Sequence, residues 1–211
     1  MSELAPFLPG FIAAYAILLV GASSPGPSVA MLVGVATDQG RAPAMMATFG
    51  IAMGSVVINV LTLVGVGLIL SQAAWAMMVL KLIGAGYLLY LAYGAFRKAV
   101  HPPKLAAAQT RQRAMSQHFW AGFLLQVTNP KAIVFWLAIA SIGATAGGGA
   151  AIVALFILGA FVISFGCHGA WALLLSAPPV RRGYARARRW IELCLGSFFT
   201  FAVYKLATSE S

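Results

Sequence analysis

Residues 11–37 read FIAAYAILLVGASSPGPSVAMLVGVAT, and the fold turns on the letters in their middle, Ser23-Ser24-Pro25-Gly26-Pro27. The run is long and apolar enough to cross a bilayer, which takes about 20 residues as a helix. Two prolines and a glycine in its interior remove amide donors and loosen the backbone. A helix opened at that depth leaves carbonyls and amides that lipid cannot satisfy, so the gap must face protein or a polar cavity. A second run, residues 119–144, reads FWAGFLLQVTNPKAIVFWLAIASIGA and is interrupted in the same manner at Asn129-Pro130-Lys131. The two breaks fall at corresponding points of the two halves of the chain.

Four further apolar runs, about 44–70, 74–96, 151–176 and 190–207, complete six expected spans. With 61% hydrophobic and 9% charged residues, against roughly a quarter charged in soluble domains, the chain needs lipid as its solvent. The expected fold is all-α and transmembrane, a single membrane domain over 1–211. Three spans per half is an odd number, so the second half is inverted relative to the first. Repeat one covers about 5–98 and repeat two about 114–208, joined by a cytoplasmic linker of about 97–118. The six-helix bundle is thus two inverted three-helix repeats with broken first and fourth helices. Carriers built this way hold their solute at the breaks. The second half-helices begin near Ser28 and Ala132, and such amide-rich ends suit a carboxylate.

The formal charge of +10 does not read as a nucleic-acid surface. Phosphate binders spread Lys and Arg along exposed faces among stacking aromatics. Here Arg97, Lys98, Lys104, Arg111 and Arg113 fill one loop, Arg181, Arg182, Arg186, Arg188 and Arg189 another, and Arg41 a third. All three lie on one side of a six-span protein, which sets them in the cytoplasm and both termini outside, in the periplasm. No basic residue precedes the first apolar run, so that run reads as a retained span rather than a cleaved leader. Trp75, Trp120, Trp136, Trp171 and Trp190 fall mostly near span ends, as an interfacial belt requires. Gly50 and Gly54 mark close helix packing. Cys167 and Cys194, in apolar runs without CxxC spacing, read as free thiols.

Few polar residues lie within the spans. Lys131 is too deep to snorkel freely, and a cation there costs at least roughly 2.5–3.5 kcal/mol, so a wet cavity or an anionic partner is expected. The expected substrate-binding set is Ser24, Pro25, Gly26, Pro27, Ser28, Asn59, Gln126, Asn129, Pro130 and Lys131. Asp38, Lys81 and His168 are candidates for ion coupling; Lys81 equally suits a structural role, snorkelling outward, and His168 reads more readily as an interhelical donor than as a proton carrier. The acids are Glu3, Asp38, Glu192 and Glu210, none near the middle of a span. No cofactor or resident metal is expected. A metal-efflux protein would need a His- or acid-rich cytoplasmic loop, whereas His101 and His118 stand among cations that repel metals. An intramembrane enzyme would need a base beside Ser24, and neither His nor carboxylate lies nearby in sequence. A non-transporting accessory subunit predicts that both breaks tolerate polar substitution.

In order, Ser24-Pro25-Gly26-Pro27, Gly40-Arg41, residues 49–54 (FGIAMG), residues 82–91 (LIGAGYLLYL), Asn129-Pro130-Lys131-Ala132 and Phe135-Trp136 resemble the lysine exporter (LysE/RhtB) family of bacterial amino-acid efflux proteins over nearly the whole chain. The resemblance implies a bacterial inner-membrane exporter of amino acids or close derivatives, driven by the proton gradient, whose partners are its amino-acid substrate, the lipid bilayer and a second copy in a homodimer.

Overall fold

The computed structural model describes residues 4–24, 26–72, 74–101, 114–174 and 176–208, and among them every regular element is helical. The first apolar run forms α1 (Leu8–Ser23) and α2 (Pro27–Asp38), and the fourth forms α5 (Met115–Val127) and α6 (Pro130–Ala140), so both interruptions separate helices. Pro27 and Pro130 each take the first position of the second helix, where a missing amide costs nothing. Between them lie α3 (Arg41–Gln72) and α4 (Ala74–Val100), and α7 (Ala150–Leu174) and α8 (Pro178–Thr208) follow. Gly40, at φ +94°, makes the turn from α2 into α3 in the left-handed region that favours glycine.

Ala5–Ser23, Arg41–Gly65 and Ala150–Leu174 are each long and apolar enough to cross a membrane, and α5 with α6, bent by 60°, makes a fourth if the pair is one span. The chain is therefore a multi-pass helical membrane protein. Six crossings also require that α1 and α2 share one and that α4 and α8 each make one.

The helices sort into two compact units, residues 1–68 with 107–176 and residues 69–106 with 177–211. Each unit draws on both halves of the chain: the first holds α1, α2, most of α3, α5, α6 and α7, the second α4 and α8. In the second unit α4 packs on α8, and Phe96 lies so close to Gly196 that a Cβ there would sit 2.7 Å from its ring.

Within the first unit, α3 and α5 meet almost backbone to backbone. A Cβ on Gly50 would run into the carbonyl of Phe119, one on Gly122 into that of Ala47, and one on Gly54 would lie 2.9 Å from Gln126 Cβ. The glycine spacing in α3 thus has the packing role expected of it. Helix α1 is clamped to α7: Tyr15 Oη donates to the Phe156 carbonyl at 3.0 Å, and the two rings stack 5.3 Å apart.

Two apolar clusters occupy this unit. One joins Phe11, Ala14 and Leu18 of α1 with Ile58, Trp136, Ile139, Phe156 and Ala160. The other joins Leu32, Val35 and Ala36 of α2 with Ala44, Ala47, Ile51 and Ala172. Trp136 is 2% exposed, which corrects its reading as a belt residue: six positions past the start of α6, it is turned inward. Trp120 and Trp190 are exposed, as a belt residue should be. His118, read from sequence as a loop residue, is buried on α5 with Nε2 2.9 Å from Gln39 Oε1.

Candidate functional site

The cavity of the first unit lies where α1 ends and α2 begins, so one apolar cluster borders it on the α1 side and the other on the α2 side. Its empty volume, mouth included, is about 460 Å³. Ser24, Gly26 and Ser28 line it from the first break, Gln126, Asn129 and Lys131 from the second, and His168 from α7. Residues at both breaks therefore share one wall-to-wall space, as an opened backbone in lipid demands.

Lys131 bridges the breaks. Its Nζ donates to the carbonyl of Ser24 at 2.9 Å and also to Ser24 Oγ. Ser24 Oγ in turn donates to the Gly21 carbonyl at 2.9 Å. The ammonium also stands 6.0 Å from the centre of the Phe135 ring. A carbonyl released by the end of α1 thus has a cationic donor, which offsets part of the cost of burying both. No carboxylate lines the cavity among the described residues.

The two half-helices differ at their N-termini. In α6 the Asn129 side chain caps the helix, its Oδ1 accepting from Lys131 N at 3.1 Å. In α2 the cap position is Gly26, and no side chain caps the first-turn amides. Gly26 is extended (φ −166°), a conformation open to any residue, so its value is space: a Cβ there would stand 3.4 Å from Lys131 Nζ. The α2 end is the anion-receptive one.

Along the cavity lining a string of hydrogen bonds crosses four helices. Ser28 Oγ donates to Gln126 Oε1 at 3.1 Å, and Gln126 Nε2 donates to Ser55 Oγ at 2.9 Å. Ser55 Oγ and Ser164 Oγ share a proton contact at 3.2 Å, and His168 Nδ1 lies 2.8 Å from the Ser164 carbonyl. All of these side chains are buried. The cavity offers a cation and uncapped helix amides together with hydroxyl, amide and imidazole groups, which is chemistry for a small zwitterion with a polar side chain.

Several expected residues lie elsewhere. Pro27 and Pro130 are exposed and act through backbone geometry. Asp38 ends α2, exposed and outside the cavity lining. Asn59 is buried on α3 one turn beyond Ser55, but it does not line the cavity. Pro25 and the side chain of Lys81 lie outside the described residues. Ser55, Ser164, Phe135 and Trp136 line the cavity without having been singled out as binding residues. Ser164 stands one helical turn before His168, the signal that could have found it. Among the described residues no group of three His, Cys, Asp or Glu could hold a metal ion.

Helices broken face to face around one polar cavity define a solute-handling membrane protein rather than a receptor for a large partner. The family model of LysE type translocators matches residues 19–210, and the chain belongs to that family. It is similar to the threonine efflux protein of Escherichia coli strain K12, 30% identical over 197 residues that make up 90% of this chain and 93% of the relative. The threonine efflux protein of Salmonella typhi is 31% identical over 190 residues, 86% and 89% of the two chains. The homoserine/homoserine lactone efflux protein of Salmonella typhimurium is 31% identical over 116 residues, 55% of each chain. No solved structure matches.

Proposed function

We propose that this chain exports amino acids or close derivatives across the bacterial inner membrane, with small hydroxy amino acids of the threonine and homoserine kind as the first candidates. The observation that carries the reading is Lys131, a cation facing a polar cavity beside the uncapped end of α2, with no acid among the lining residues described. A positive site of this kind is stabilised by an anion that visits it. In this reading the substrate carboxylate meets Lys131 and the first-turn amides of α2. The ammonium turns to the carbonyls of Gly21 and Ser24 and the face of Phe135. A side-chain hydroxyl reaches the Ser28–Gln126–Ser55–Ser164 string. The efflux activities named for the relatives support the direction and the solute class.

Six spans in two inverted repeats, with both termini periplasmic, give the site access first to one side and then to the other, and the proton gradient supplies the energy. Among the described residues, His168 is the coupling candidate that lines the cavity. The test is efflux from cells preloaded with a panel of amino acids, with and without a protonophore. Faster loss of threonine or homoserine than from control cells, abolished by the protonophore, is the expected result. Loss at the control rate for every amino acid tried sinks the reading.

A further inference from the structure

Asn59 is 1% exposed, and among the described residues no group pairs with either its Oδ1 or its Nδ2. A buried amide with neither end bonded is costly and calls for a partner from outside the protein, a water or a solute. Its setting says where that partner comes from. Ser55, Asn59 and Thr62 fall at i, i+4 and i+7 of α3 and so form one face of the helix, and all three are buried. Ser55 and Thr62 are bonded, Ser55 into the cavity string and Thr62 to the carbonyls of Ile58 and Asn59 at 2.9 and 3.0 Å. Asn59 alone of the three is unpaired. The stripe begins in the cavity wall and runs into the apolar cluster on the α1 side, to which Ile58 belongs and against which Leu63 packs.

We propose that this stripe is the way out of the cavity and that Asn59 is a second, transient binding station for the solute, distinct from the cavity. When the cluster of Phe11, Leu18, Trp136 and Phe156 parts, the amide is uncovered. Its donor and acceptor then take the carboxylate and ammonium, or the hydroxyl, of a small polar amino acid leaving the cavity. The inference rests on the export reading above, and it assigns the outward half of the path to the C-terminal half of α3.

The experiment replaces Asn59 by an apolar residue of similar size, Asn59→Leu, in the full chain, and measures melting temperature, L-threonine and L-homoserine binding in detergent, and efflux of both from preloaded vesicles. A melting temperature equal to or above that of the wild type, a Kd within about twofold and efflux slowed at least about tenfold are expected, the signature of lost transition-state rather than ground-state stabilisation. A fall in melting temperature means that a structural water holds the amide and overturns the proposal. So does unchanged efflux. So does a Kd that rises in step with lost efflux, which would make Asn59 part of the cavity itself. Should the wild type export neither amino acid, the export reading fails instead. The path is then decided by Asn59→Cys in a chain with Cys167→Ala and Cys194→Ala, offered a small impermeant methanethiosulfonate from the periplasmic side. Modification supports the path and none overturns it.

Discussion

Lys131 and Ser24, far apart in sequence and each at a helix break, are joined by a hydrogen bond of 2.9 Å from the lysine Nζ to the serine carbonyl. The bond ties the two breaks together, and in the export reading proposed above the same side chain also meets the solute. The ammonium satisfies a carbonyl that α1 releases, and Lys131 lines the cavity as well.

Replacing that lysine separates the two services. Lys131→Ala is expected to leave membrane protein at near the wild-type level while efflux falls by about ten- to a hundredfold, the equivalent of one charge-assisted hydrogen bond of about 1.5–3 kcal/mol. Quantitative immunoblotting alongside efflux reads both. Protein lost in proportion to transport would assign the lysine to the fold alone, and wild-type efflux would make it dispensable.

Gln126 is the middle of the buried string, donating to Ser55 and accepting from Ser28. Gln126→Leu strips both serines of a partner and is expected to destabilise the protein by about 1–3 kcal/mol. A melting temperature that does not move in detergent would place water, not the amide, at the centre of the string.

The glycines of the first unit are expected to divide sharply. Gly122→Ala drives a methyl into the Ala47 carbonyl, so loss of folded protein equivalent to about 1–3 kcal/mol is expected from overpacking. Gly166→Ala on α7, where a Cβ meets nothing within 4 Å, is expected to hold or gain up to about 1 kcal/mol from helix propensity. Thermal denaturation of the two variants side by side checks the pair, and equal behaviour would refute the close α3–α5 contact.

Orientation has its own test. A reporter active only outside the cytoplasm, fused after Ser211, is expected to be active, because the basic loops gather on the opposite side. A cytoplasmic C-terminus would remove both the six-span count and the inverted pairing.

Hydropathy made the helices legible, because a chain this apolar must hide its backbone in helices when its solvent is lipid. The breaks were legible for the same reason: Pro27 and Pro130 can start a helix but not continue one. Ser24, Ser28, Gln126, Asn129 and Lys131 stood out as polar letters near those breaks and Gly26 as the flexible one, and the cavity gathers all six. Ser55 and Ser164 did not stand out. A serine in an apolar helix usually bonds its own backbone, and nothing local reveals that these two face each other from α3 and α7. Trp136 misled because a tryptophan's amphipathic ring suits a headgroup layer and a cavity wall equally. Asn59 was recognised as polar and deep. Its separation from the cavity depends on how far α3 runs past Ser55, which is a matter of three dimensions.

The backbone contact of Gly50 and Gly122 with their opposite helices has a mechanical consequence. Helices with no side-chain cushion between them cannot roll or slide against one another, so the described part of α3 and α5 make one stiff girder. The next change of direction comes at the Thr128–Asn129 joint, where α6 turns away from α5 by 60°. A crosslink from α3 to α5 across these glycines is therefore expected to cost the protein no motion.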